Sequence, residues 1–190
     1  MRLVLLLLWL MPLKWVNAQA PKAVFAHFMV GNTEFFEQGD WEDQLSAAKT
    51  AGIDAFALNM AFNDTTNDIA LPMAFAPATA VGFKLFFSFD YAGNGAWPKD
   101  LVTSIIRRFA SHEAYFYRGS QPFVSTFEGS GNMTDWPGIK KDTGCFFMPD
   151  WSSIGAKPAA AAGIAGKWYF PHEGPTFVTG YSAGMHGPKV

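Results

Sequence analysis

With 190 residues, 49% of them hydrophobic, the chain has enough apolar material for a sizeable core. A formal net charge of -2 offers nothing to a polyanion, so nucleic acid is not expected as a partner. The single cysteine, Cys145, forbids an intrachain disulfide, and four scattered histidines show no zinc-like spacing, so neither a metal nor another cofactor is expected.

The chain opens with Arg2 ahead of an apolar run from Leu3 to Leu13, followed by small residues at Ala18 and Ala20. That order reads as a secretory signal peptide over residues 1–20, with a mature chain starting near Pro21. The run is shorter than the ~20 apolar residues a membrane span requires, and no later segment supplies one. The mature chain is therefore expected to be secreted, outside the cell or in its wall, and free of membrane. Two N-glycosylation sequons, Asn63-Asp64-Thr65 and Asn132-Met133-Thr134, fit that route and fall in expected loops.

From there one unit recurs. A short apolar, aromatic or β-branched run ends on a polar residue, a loop follows, and a stretch with helical features comes next. The runs are "AVFAHFMV" from Ala23, "GIDAFALNM" from Gly52, "FKLFFSFD" from Phe83, "PFVSTFEG" from Pro122 and "CFFMPDW" from Cys145. They start roughly 30 residues apart, the pace of parallel strands joined by helical crossovers. Between the first two, Asp40 is expected to cap a helix over "WEDQLSAAKTAG". After the third, "WPKDLVTSIIRRFASH" places Leu101, Ile105, Ile106 and Phe109 on one face. "DIALPMAFAPATAVG" is the weaker helix, because Pro72 and Pro77 interrupt it.

Near-continuous hydrophobicity within the strands means burial on both faces, hence a parallel α/β architecture, either a barrel or an open doubly wound sheet. No G-x-G-x-x-G follows the first strand, and the glycines of "YAGNGAW" suit a loop better than a phosphate. By the period-two rule Phe86, Ser88 and Asp90 share one face, and Leu85, Phe87 and Phe89 the other. The first set would line a barrel and the second would meet helices. His27, Asn59, Glu128 and Asp150 occupy matching positions near other strand ends. Polar groups collected at the carboxyl ends of parallel strands are where barrels hold substrate, so these five residues, with Trp151 beside Asp150, form the expected binding set. Tyr91 and Trp97 are further stacking candidates, although Trp41, Trp97 and Trp136, at helix starts, are expected to pack.

The blocks "KAVFAHFMVGN", "GIDAFALNM", "FKLFFSFDYAGNGAWP", "QPFVSTFEG" and "CFFMPDWSSIG" resemble successive blocks of glycoside hydrolase family 71, the fungal α-1,3-glucanases or mutanases, in the same order. The resemblance runs from about Pro21 to Ala165. It implies a secreted (β/α)8 barrel that hydrolyses the α-1,3-glucan of fungal cell walls with inversion and without a metal. Such chemistry needs one carboxylic acid to protonate the leaving oxygen and one carboxylate to activate water. The family's acid and base are associated with an Asp-Tyr-Gly-Glu-like segment that this sequence lacks, so no catalytic residue is assigned; Asp90, Glu128 and Asp150 carry over as pocket residues.

An eight-fold barrel typically takes ~250 residues, so a partial barrel of five or six units over residues 21–165 is expected. Residues 166–190 form a divergent tail. The alternative is a non-catalytic, glucan-binding relic of the same barrel. Within the tail, "GYSAG" (Gly180–Gly184) fits the nucleophile-elbow pattern around Ser182. It has no room for a supporting helix, and His186 is the only histidine after it, so a serine hydrolase is set aside.

Overall fold

The computed structural model describes residues 23–151 and the backbone of residues 177–178. The expected leader over residues 1–20, most of the tail, and Ser182 with His186 lie outside the described residues. In chain order the elements are β1 (Phe25–Met29), α1 (Gln38–Thr50), β2 (Ala55–Ala61), α2 (Thr66–Val81), β3 (Lys84–Asp90), α3 (Lys99–Phe109), β4 (Tyr117–Arg118), β5 (Gln121–Phe127), α4 (Trp136–Thr143), β6 (Phe146–Asp150) and β7 (Phe177–Val178).

All five apolar runs form strands, and β1, β2, β3, β5 and β6 pair in parallel in that order. β7 adds a short parallel partner to the free edge of β1. The register carries one set of side chains onto one face: Phe28 lies opposite Leu58, Leu58 opposite Phe87, Phe87 opposite Val124 and Val124 opposite Phe147. This face meets the helices. Phe28 packs on Trp41 of α1, Phe87 on Phe75 of α2 and Phe109 of α3, and Phe147 stacks on Trp136 of α4. Helices on one face and strands in sequential order make a singly wound sheet, which removes the doubly wound alternative.

The opposite face is concave. Strands lie ~4.8 Å apart, so three steps of a flat sheet would separate β1 from β5 by roughly 14 Å. Yet the Phe25 ring of β1 lies 5.4 Å from that of Phe123 on β5, and the His27 ring lies 5.8 Å from Phe127. Such distances require the sheet to curl tightly about this face. Phe86 meets Phe25 and Phe123 edge-to-face at 4.9 and 4.7 Å, Phe25 and Phe123 lie tilted at 5.4 Å, and Phe116 joins them at 4.9 Å from Phe25. Phe116 is delivered by a wedge not expected from the sequence. Its N–H donates to Leu85 O and its carbonyl accepts from Phe123 N–H, so the segment before β4 sits between the amino-terminal ends of β3 and β5. Aromatic rings thus fill the amino end of the concavity, leaving the carboxyl end to polar groups.

Three helical expectations are corrected. α1 begins earlier than Asp40: Glu37 is the N-cap, and its N–H donates to Asp40 Oδ2 at 2.8 Å, one half of a reciprocal box built on a glutamate. α2 runs unbroken from Thr66 to Val81 through Pro72 and Pro77. Its Phe75 sits among Phe87, Phe109 and Tyr115, and this packing outweighs the two missing N–H groups. On α3 the buried stripe is Val102, Ile106 and Phe109, spaced by four and three residues, while Leu101 is 39% exposed. Trp41, Trp97 and Trp136 are all buried, as expected, and Trp97 donates its indole N–H to Met60 O at 3.1 Å.

Candidate active site

At the carboxyl ends of the strands the concave face carries His27 from β1, Asn59 from β2, Ser88 and Asp90 from β3, Ser125 and Phe127 from β5, and Asp150 from β6. Alternation along each strand puts them there, with Ala57 and Ala61 leaving room over β2. The His27 ring stacks on Phe127 at 24° between planes, and its Nε2 is buried without a partner among the described residues. Burial pushes the imidazole below its ordinary value, and the attraction of Asp150 and then Asp90 only partly opposes this. His27, Asp90 and Asp150 are therefore brought into one electrostatic neighbourhood, with the imidazole held toward its neutral form.

This has a sign that can be measured. The folded protein binds fewer protons at His27 than the unfolded chain, whose histidine titrates near ~6.5. The contribution to stability is complete above that pH and is lost as pH falls from there through the folded value. Urea midpoints are expected to drop between pH 7.5 and pH 5, and His27→Gln is expected to make that drop shallower. An equal acid loss in wild type and variant would exclude His27 as its source.

Asp90 is engaged by its own loop and still lies on the concave face. Its Oδ1 accepts the N–H groups of Ala92 and Gly93 at 2.8 and 3.0 Å, pinning the loop after β3, while the side chain stays on the concave face, 8% exposed. Asn59 is 2% exposed, and its Nδ2 is buried with no partner among the described residues. Glu128 follows β5 with φ 55, the left-handed region that β-carbon sterics disfavour. Its N–H donates to Asp150 O at 2.8 Å and ties the ends of β5 and β6 together. Next to it Gly129, φ 91, lies so close to Tyr91 that a β-carbon would stand 2.5 Å from Tyr91 Cγ. Only glycine satisfies both the backbone angle and this approach.

Trp151 is not brought to the concave face. It is 3% exposed and meets Phe147 edge-on, on the side where that ring stacks on Trp136. Sequence reasoning did not single out Phe127 or Gly129; the Glu-Gly pair directly after a strand was the available signal for the second. The Asn63 sequon sits exposed in the turn after β2, and Asn132 is half-buried in a 3-10 turn, Ser130–Asp135. Among the described residues no group of His, Cys, Asp and Glu is arranged to hold a metal ion.

Residues 20–169 match the sequence profile of glycosyl hydrolase family 71. The chain belongs to this family. A mutanase of Penicillium rubens is 36% identical over 122 residues, covering 64% of this chain and 27% of that protein. A glucan endo-1,3-alpha-glucosidase of Schizosaccharomyces pombe is 35% identical over 170 residues, 82% of this chain and 40% of that one. The ascus wall endo-1,3-alpha-glucanase of the same yeast is 28% identical over 145 residues, 68% and 33% respectively. The chain thus spans between 27% and 40% of the length of these curated relatives.

Proposed function

We propose that this family 71 chain is part of the wall of a secreted (β/α)8 barrel that binds and hydrolyses fungal cell-wall α-1,3-glucan, and that its concave carboxyl face holds the sugar. The observation that carries the reading is the convergence of His27, Asn59, Asp90 and Asp150 on the concave side of a curled, singly wound sheet. The curl supports a barrel specifically. By register Phe25 falls level with Gln121 on β5 but meets Phe123, while His27 falls level with Phe123 but meets Phe127. Contacts advance by about one residue per strand step, the stagger of an eight-stranded barrel with a shear of eight.

On this reading the carboxylates accept hydrogen bonds from sugar hydroxyls, Phe127 and the rings beneath it supply an apolar floor, and Glu128 is aimed by its unusual backbone. The acid and base of hydrolysis are not assigned to Asp90, Glu128 or Asp150. The names of the two Schizosaccharomyces pombe relatives support the choice of α-1,3-glucan as substrate, and the ascus wall in the name of one of them supports a wall location.

Incubation of the full chain with insoluble α-1,3-glucan tests the proposal. Release of reducing sugar is the expected result. Pelleting with the polymer without release would favour the non-catalytic binder, and neither would overturn the glucan reading.

A further inference from the structure

Nine buried side-chain N or O atoms lack a hydrogen-bond partner among the described residues, and two of them, His27 Nε2 and Asn59 Nδ2, belong to the concave face of neighbouring strands. Each is an expensive atom to bury alone, because folding strips its water and returns nothing. The surroundings do not repair this. The His27 ring stacks on Phe127, Asp90 Oδ1 is already engaged by two backbone N–H groups, Ala57 and Ala61 flank Asn59 on the same face of β2, and Ser88, level with Asn59 on β3, does not complete its Nδ2. The helix-side orphans, such as Trp41 and Trp136, lie under packed helices where no ligand could reach.

We propose that His27 and Asn59 form a hydroxyl-reading pair, two polar atoms whose partners are the hydroxyls of one bound sugar residue, and that they determine specificity at this site. The inference rests on the saccharide reading of the concave face and adds which atoms recognise the ring. An amide N–H on Asn59 can only donate, whereas a neutral imidazole Nε2 can donate or accept according to tautomer. A sugar hydroxyl does both, so it satisfies either atom. A site whose buried polar groups are completed only by the ligand rejects analogues lacking those groups far more strongly than an apolar pocket could.

The pair makes an unusual prediction, since removing an orphaned polar atom relieves the empty protein while damaging recognition. In the full chain, Asn59→Leu, close in shape and apolar, is expected to leave the melting temperature unchanged or higher. Affinity for an α-1,3-linked glucose oligosaccharide, measured by titration calorimetry, is expected to fall by roughly tenfold or more, the weight of one such hydrogen bond. His27→Phe keeps a ring over Phe127, removes Nε2 and is expected to behave likewise. Retained affinity in both variants would overturn the pair. Lower melting temperatures in both would also overturn it, because the two groups would then be structural. If the wild-type chain itself fails to bind the oligosaccharide, the saccharide reading falls and takes the pair with it, an outcome separable from loss in the variants alone.

Discussion

Phe86→Ala is expected to destabilise the protein by about 3–5 kcal/mol, the range for truncating a fully buried phenylalanine. Phe86 has no exposed surface and stands at the centre of the aromatic cluster that fills the amino end of the concavity. Its ring makes edge-to-face contacts with Phe25 at 4.9 Å and Phe123 at 4.7 Å, and a tilted one with Phe116 at 6.0 Å. Those partners come from β1, from β5 and from the wedge before β4, so one deletion loosens the curl and the plug together. The cavity cannot close easily, because its walls are strands fixed by their ladders. A domain of this size is stable by only ~5–15 kcal/mol, so melting should fall by roughly 10 °C. Leu101→Ala, on the exposed side of α3, is the matched control and should change stability by less than ~0.5 kcal/mol. Equal losses in the two variants would mean that the cluster is not what holds the sheet curved.

Phe86 also shows what the sequence could and could not reveal. Its face was legible from alternation alone, since a strand reading Leu85-Phe86-Phe87-Ser88-Phe89-Asp90 has one parity ending on serine and aspartate and another that is wholly apolar. That parity was enough to send Phe87 and Phe89 to the helices and Asp90 to the opposite side. The choice between a singly and a doubly wound sheet was not legible, because it depends on which strands pair, a long-range matter that no local pattern encodes. The wedge before β4 escaped for a related reason: Tyr117 and Arg118 form only a two-residue strand, and Phe116 is ordered by Leu85 and Phe123 from distant parts of the chain. α2 misled in the other direction. Pro72 and Pro77 are genuine helix breakers in isolation, and the burial of Phe75 and Pro77 overrides them.

The site was half legible for the same physical reasons. The rule that polar residues end buried strands grouped His27, Asn59, Asp90 and Asp150, and the parallel register carries them onto one face. Parity stops where the strand stops, and Glu128 lies just past that limit. Glu128 turns into left-handed backbone, which an extended-chain rule cannot foresee, whereas Trp151 meets Phe147, the side that alternation assigns to the residue after Asp150, so grouping it with Asp150 overlooked parity. Nor does a sequence disclose that the Asp90 carboxylate accepts two N–H groups of its own loop while lying on the concave face. The loop-holding role of a strand-end aspartate is realised in this residue, and its place on the concave face leaves the proposed sugar contact to be tested.

The loop role and the proposed sugar contact can be taken apart by two substitutions. Asp90→Asn retains an oxygen able to accept the Ala92 and Gly93 N–H groups, so the loop should hold and the melting temperature should stay within a few degrees of wild type. It removes the negative charge from the concave face. Hydrogen bonds from a sugar to a charged acceptor are worth ~1.5–3 kcal/mol, so glucan affinity or hydrolysis should fall by roughly 10- to 100-fold. Asp90→Ala removes both functions. Two backbone N–H groups lose a charge-assisted acceptor, adding a stability loss of about 1–3 kcal/mol to the same loss of binding. The separation between the variants is the informative quantity. If Asp90→Asn keeps full glucan binding while Asp90→Ala unfolds more easily, Asp90 is a loop anchor only, and the saccharide face must be built around His27, Asn59 and Asp150 without it.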